Sequence, residues 1–252
     1  HSDLDEQERE LCRFLGVSSL AEEHSATMFA RHSAHGEPER RAQIAWAKRV
    51  EHLARQQTVG VYDASRLEAL VEELLVHSVE PAGVRNVPER LLAAGVHFVI
   101  VPHLRQTYLD GGALWLNEHP VVALTLRYNR LDNFWFTLAH ELAHIALGHL
   151  GTYLDRLDDE HGLTQEEREA DALARDWLIE AEAYDRFRQA GTYARAAIRL
   201  FAREQRRHPS IIAGRLQHDG ALPFNRHPSY RIRVREHLAP WIDSADGSRG
   251  ER

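Results

Sequence analysis

Asn133–Leu150, NFWFTLAHELAHIALGHL, decides how the chain is read. It contains His140-Glu141-Leu142-Ala143-His144, an H-E-x-x-H sequence, in which two histidines four residues apart bind zinc and the glutamate acts as a base. At about 100° per residue, positions 140, 141 and 144 share one helix face, so two imidazoles can meet one ion with a carboxylate beside it. Phe134, Leu138, Leu142 and Ile145 recur at helical spacing and no Pro or Gly precedes Gly148. That pattern predicts a largely buried helix.

A catalytic zinc site takes three protein ligands and keeps one position for water. The extended pattern H-E-x-x-H-x-x-G-x-x-H would place Gly at 147 and His at 150, but the chain has Leu147 and Leu150, which excludes that class. His149 reads as a cation at the helix C-terminus. The third ligand is sought in Thr164–Trp177, TQEEREADALARDW, where Glu166, Glu167 and Glu169 compete. Glu167 shares a face with Ala170, Asp171, Ala174 and Leu178, the small and apolar side suited to packing on the first helix; Glu169 points nearly opposite. Glu167 is therefore the expected ligand, and Asp171, one turn on, the group that orients a ligand histidine. A competing role for Glu167 is a capping box with Thr164.

These segments resemble a known family. Tyr128–His149, YNRLDNFWFTLAHELAHIALGH, followed by Glu167–Asp171, EREAD, and Ile212–Gly220, IAGRLQHDG, is similar to the ImmA/IrrE metallopeptidases. In particular it resembles the branch whose peptidase domain follows a helix-turn-helix, as in HigA-like and Xre-type regulators. The likeness spans about residues 90–222, with a looser match over Leu11–Ala54. It implies a zincin with a Glu third ligand, acting on a transcriptional repressor under stress or in a phage-defence or mobile-element setting. It also implies a rival role, a weakly proteolytic or non-proteolytic antitoxin module regulating an attached DNA-binding domain.

Around this centre the chain has 252 residues, 43% of them apolar, enough for one large domain or two small ones. No apolar run approaches the ~18–20 residues of a membrane span, and one cysteine, Cys12, fits a reducing cytoplasm and a small core residue. The formal charge of −7 gives no general attraction to nucleic acid; contact with it is expected only through a helix-turn-helix ahead of residue 1. The opening His1-Ser2 and LCRFLGVSSL at 11–20 motivate that expectation.

Residues 1–85 read as a helical platform, suited to homodimerisation, with capping signals at Ser19 and Glu22, at Pro38 and at Asp63. Residues 86–243 read as the zincin-like domain and 244–252 as a disordered tail. The expected class is α+β, mostly helical, with a small mixed sheet on the H-E-x-x-H helix. His97–Val101, Ala113–Leu116 and Val121–Arg127 supply strands, with a loop at Asp110-Gly111-Gly112. Gly111, Gly112, Ala113 and Leu114 are the candidate edge for pairing with an extended substrate. Gly151–Leu163, rich in Asp155, Asp158, Asp159 and Glu160, reads as a solvated loop. Thr164 to about Gln189 is expected as one helix, and Thr192–Arg207 as another.

Arg215 and His218, three apart on a helix that Gly220 stops, are candidate donors to an oxyanion or substrate. Arg231, Arg233 and Arg235 read as a surface cluster. In the expected mechanism, Zn²⁺ on His140, His144 and Glu167 lowers the pKa of water toward about 7. Glu141 takes the proton as water attacks the peptide carbonyl and passes it to the leaving amine.

Overall fold

A computed structural model describes residues 28–32, 40–104, 107–149 and 164–243. Several sequence expectations lie outside those residues: Cys12, the Ser19 and Glu22 cap, Pro38, the acidic stretch 155–160, the tail 244–252 and anything ahead of residue 1.

The sheet is built by the period-2 apolar pattern. Strands β2 (His97–Ile100), β3 (Leu109–Leu116) and β4 (His119–Leu124) bury both faces. A further strand, β1 (Met28–His32), joins the far side of β3. The order is β1-β3-β4-β2, antiparallel except for the parallel β2/β4 pair. Alternation sends Phe98, Ile100, Ala113, Val122 and Leu124 to one core. It sends Val99, Val101, Leu114, Val121 and Ala123 to a second core under α1 (Arg40–Ala54), with Trp46 and Val50. Trp46 is fixed there because its indole N–H donates to the Val101 carbonyl at 3.0 Å.

On the first face lies α4 (Leu131–Ala146), the H-E-x-x-H helix, buried nearly all round. α2 (Leu67–Val76) and the short α3 (Val87–Ala93) pack into the same core. The boundary expected at 80–86 therefore does not separate two cores: Leu67, Leu70 and Leu74 sit in one cluster with Phe134 and Leu138. Met28–His32 is also strand rather than helix.

The third layer is α5 (Gln165–Leu178), α6 (Ala181–Ala190), α7 (Arg195–Glu204) and α8 (Pro209–His218), with α9 (Arg235–Leu238) near the end. The single helix expected from Thr164 to Gln189 is thus two. Ile179 is extended, and the Glu180 carboxylate accepts from the N–H groups of Glu182 and Ala183, restarting the chain as α6. Gly220 ends its helix as expected and Gly191 ends α6, both with positive φ. The last described residues return to the sheet. The Asp243 N–H donates to the Ile100 carbonyl at 2.8 Å, and its carboxylate takes two 2.8 Å bonds from Arg49 of α1.

The expected substrate edge is overturned as well. Asp110-Gly111-Gly112 is not a loop but the start of β3, and β3 is not an edge, because β1 pairs from Met28↔Leu114 to His32↔Leu109. The glycine has a packing reason instead: a Cβ at Gly111 would lie 2.7 Å from Glu141 Oε1 and 2.6 Å from Thr137 Cγ2. Only a bare backbone can cross α4 this closely. No helix among the described residues is long and apolar enough to cross a membrane.

Candidate metal centre

α4 carries His140, Glu141 and His144 on the face turned toward α5, and all three are buried. α5 approaches closely because Ala170 and Ala174 face α4 with no exposed surface. Thr164 starts α5 by accepting from the Glu167 N–H, so the first half of the expected capping box forms. The Glu167 carboxylate goes elsewhere: Oε2 is 3.1 Å from His140 Nε2, and Oε1 is 3.3 Å from His144 Nε2.

The two Nε2 atoms are 3.0 Å apart, and the ligand atoms of His140, His144 and Glu167 all lie within 4.8 Å of one another. Donors held tetrahedrally at about 2.0–2.1 Å from one ion stand about 3.3 Å apart. The Nε2–Nε2 distance, and the distance from each Nε2 to its nearer Glu167 oxygen, are of that size, so this donor set suits a zinc-sized ion. Both rings present Nε2 because both Nδ1 atoms are engaged. His140 Nδ1–H donates to Asp171 Oδ1 at 2.9 Å, and Arg175 donates to the other Asp171 oxygen at 3.3 Å. His144 Nδ1 meets His149 Nδ1 at 3.0 Å.

Electrostatics separates the two rings. Burial pushes His140 down, but hydrogen bonds to Asp171 and Glu167 and the charges of Glu141 and Glu167 outweigh it and raise it to about 9. Burial dominates at His144 and, helped by the charge of its histidine neighbours, lowers it to about 4. Glu167 is also pushed up by burial, yet its hydrogen bonds with both histidines hold it well below the usual carboxylate range. These directions favour a charge pair of His140 with Glu167 beside a neutral His144.

The sequence predicts His149 as a helix-end cation, but it is buried against His144, with Nε2 3.3 Å from Glu169 Oε2. Gly148, at φ +66°, turns the chain so that the His149 N–H closes on the His144 carbonyl at 3.0 Å and the Gly148 N–H on Ile145 at 3.2 Å. This paired C-terminal closure is encoded by a glycine just past the helix. That glycine was the available signal for His149.

Arg215 and His218 diverge. Arg215 donates to Asp219 at 2.8 Å and lies 4.8 Å over the Tyr184 ring, while Tyr184 O–H donates to the same Asp219 oxygen at 2.7 Å. His218 is half-exposed and stacks on Phe136, one turn before His140 on α4, with centroids 6.3 Å apart.

A buried H-E-x-x-H helix beneath a small sheet, completed by a glutamate from the next helix, defines a zincin-like metallopeptidase centre. Consistent with that class, residues 131–239 match the family model of Peptidase U49. Comparisons with curated proteins and with solved structures gave no match. The peptidase class thus rests on site and family model together.

Proposed function

We propose that the chain is a zinc-dependent endopeptidase in which His140, His144 and Glu167 hold the ion and Glu141 is the general base. The observation that carries this reading is the convergence of two Nε2 atoms and one carboxylate beside buried Glu141. Zinc, when bound, supplies Lewis acidity toward water and the peptide carbonyl. Glu141 accepts the proton of the attacking water and delivers it to the amide nitrogen as the C–N bond breaks. Gly111 lets the β3 backbone lie against that carboxylate, walling it from bulk water. Asp171 holds the Nδ1 proton of His140 and so keeps Nε2 facing the ion.

For the oxyanion we assign His218 rather than Arg215. Arg215 is committed to Asp219 and Tyr184, whereas His218, whose Nδ1 is 3.3 Å from the other Asp219 oxygen, stacks along Phe136 on the helix that carries the ligands. The substrate, following the resemblance to ImmA/IrrE proteins, is a transcriptional repressor or another regulatory protein.

The test is a mass-spectrometric survey of new protein N-termini in host cells expressing wild type or Glu141→Gln, with and without DNA damage. Glu141→Gln is expected to retain zinc and lose cleavage by about 10²–10⁴-fold. New termini confined to the wild type support the reading and identify the substrate. Equal cleavage by the variant refutes the role of Glu141.

A further inference from the structure

The His144 ring presents a problem of proton placement that the H-E-x-x-H pattern leaves open. A neutral imidazole has one N–H and one lone pair, so a ring that binds through Nε2 must carry its proton on Nδ1. Asp171 enforces this at His140, since a carboxylate only accepts. At His144 the neighbour is another imidazole nitrogen, His149 Nδ1 at 3.0 Å, and one proton lies between them. Either ring can supply it. If His149 supplied it, His144 would be protonated on Nε2 and closed to the ion.

Glu169 breaks the tie. Its Oε2 lies 3.3 Å from His149 Nε2, and its other oxygen takes a 2.8 Å bond from Gln165. A carboxylate at that nitrogen favours Nε2–H on His149, which leaves Nδ1 of the same ring as the acceptor; at His144 the Nε2 lone pair can instead accept from His140 Nε2, 3.0 Å away, although Glu167 Oε1 is 3.3 Å off. The chain of donation therefore runs from His144 Nδ1–H to His149, and from His149 Nε2–H to Glu169. His149 is held for this by the left-handed Gly148 and by burial, its ring edge-on to His144 at 5.2 Å between centroids.

We propose that His149 is a positioning residue for metal binding: polarised by Glu169, it accepts the Nδ1 proton of His144 and leaves His144 Nε2 open to the ion. This rests on the zinc reading above. Ligand-orienting partners of this kind change metal affinity by about 10–100-fold when removed.

The experiment uses the full chain as wild type, His149→Leu, His149→Asn and Glu169→Ala. Zinc affinity is measured by competition with a chelating dye, and the histidine tautomers of the metal-free proteins by ¹⁵N NMR. His149→Leu fills the space without an acceptor and is expected to bind zinc about 10–100-fold more weakly, with the Nδ1–H form of His144 depleted. His149→Asn keeps an acceptor near the Nδ1 position and is expected to recover most of that loss. Glu169→Ala alters a half-exposed side chain, so the fold is retained, and His149 should shift toward its Nδ1–H form.

Wild-type affinity in His149→Leu with His144 still protonated on Nδ1 overturns the inference. So does an unchanged His149 tautomer in Glu169→Ala, an outcome that stands even if His149→Leu does not fold. If the wild type itself binds no zinc, the zinc reading fails, and the tautomers still decide whether Glu169 and His149 direct the proton of His144.

Discussion

The two histidines of the H-E-x-x-H sequence sit one turn apart on one helix, yet their surroundings differ in charge. His140 is backed by a carboxylate, Asp171, itself engaged by Arg175; His144 is backed by an imidazole, His149, with the carboxylate of Glu169 one step further out. Proton affinity is opposite too: hydrogen bonds to Asp171 and Glu167 overcome burial and raise His140 to about 9, whereas burial lowers His144 to about 4. Motif spacing sets where ligands meet, whereas burial at His144 and the carboxylates around His140 set which ring must give up a proton to a metal.

The bridge between the two rings gives the strongest way to break this comparison. Glu167→Gln removes the charge that His140 and His144 share, and a lost ligand should cost more than the about 10–100-fold typical of an outer partner. Zinc titration of that variant should therefore show a loss beyond a hundredfold; near-normal binding would remove Glu167 from the ligand set.

Next in size is the pH dependence of the metal-free protein. A raised His140 adds stability that is fully present below its ordinary value near 6.5 and is lost as pH rises toward about 9. A lowered His144 acts below 6.5, where the unfolded chain binds a proton the folded one refuses, so stability falls as pH drops toward about 4. Urea unfolding in a chelator should thus find maximum stability near pH 6.5, with each limb worth up to about 3 kcal/mol. A curve rising monotonically from pH 6.5 to 9 would contradict the assignment at His140.

The finest test makes the two sides alike. Asp171→Asn keeps an acceptor for His140 Nδ1–H but removes its charge, and zinc affinity should fall by about tenfold, the low end of the range for such partners. Calorimetry in buffers of different ionisation heat should also find fewer protons released on zinc binding near pH 7, because His140 would no longer start protonated. Unchanged proton release would locate the proton elsewhere.

Much of this was legible in the sequence where one face of one helix decides the outcome. Phe134, Leu138 and Leu142 marked the buried side of α4, and Ala170, Ala174 and Leu178 marked the side of α5 that selects Glu167 over Glu166 and Glu169. Reading failed where a residue's partner lies across the fold. Gly111 looked like loop chemistry because its reason, the oxygen of Glu141, is 30 residues away. His149 looked like a terminal cation because Glu169, its partner, was assigned to the outer face of α5. The break between α5 and α6 carries no Gly or Pro; it depends on Glu180 capping the second helix, a signal that Glu residues elsewhere in the same run imitate.

Asp243 joins the sheet through Ile100 and α1 through Arg49, a pair 194 residues apart. In terms of assembly, the ligands of the metal centre are made long before Asp243, which adds a second tie between α1 and the sheet to the Trp46 anchor. A nascent chain can form α4 and α5 locally, but it cannot complete this tie until residue 243 has emerged. Closing so long a loop is slow relative to helix formation. The Asp243 tie should therefore be among the last long-range contacts to form as the chain is made.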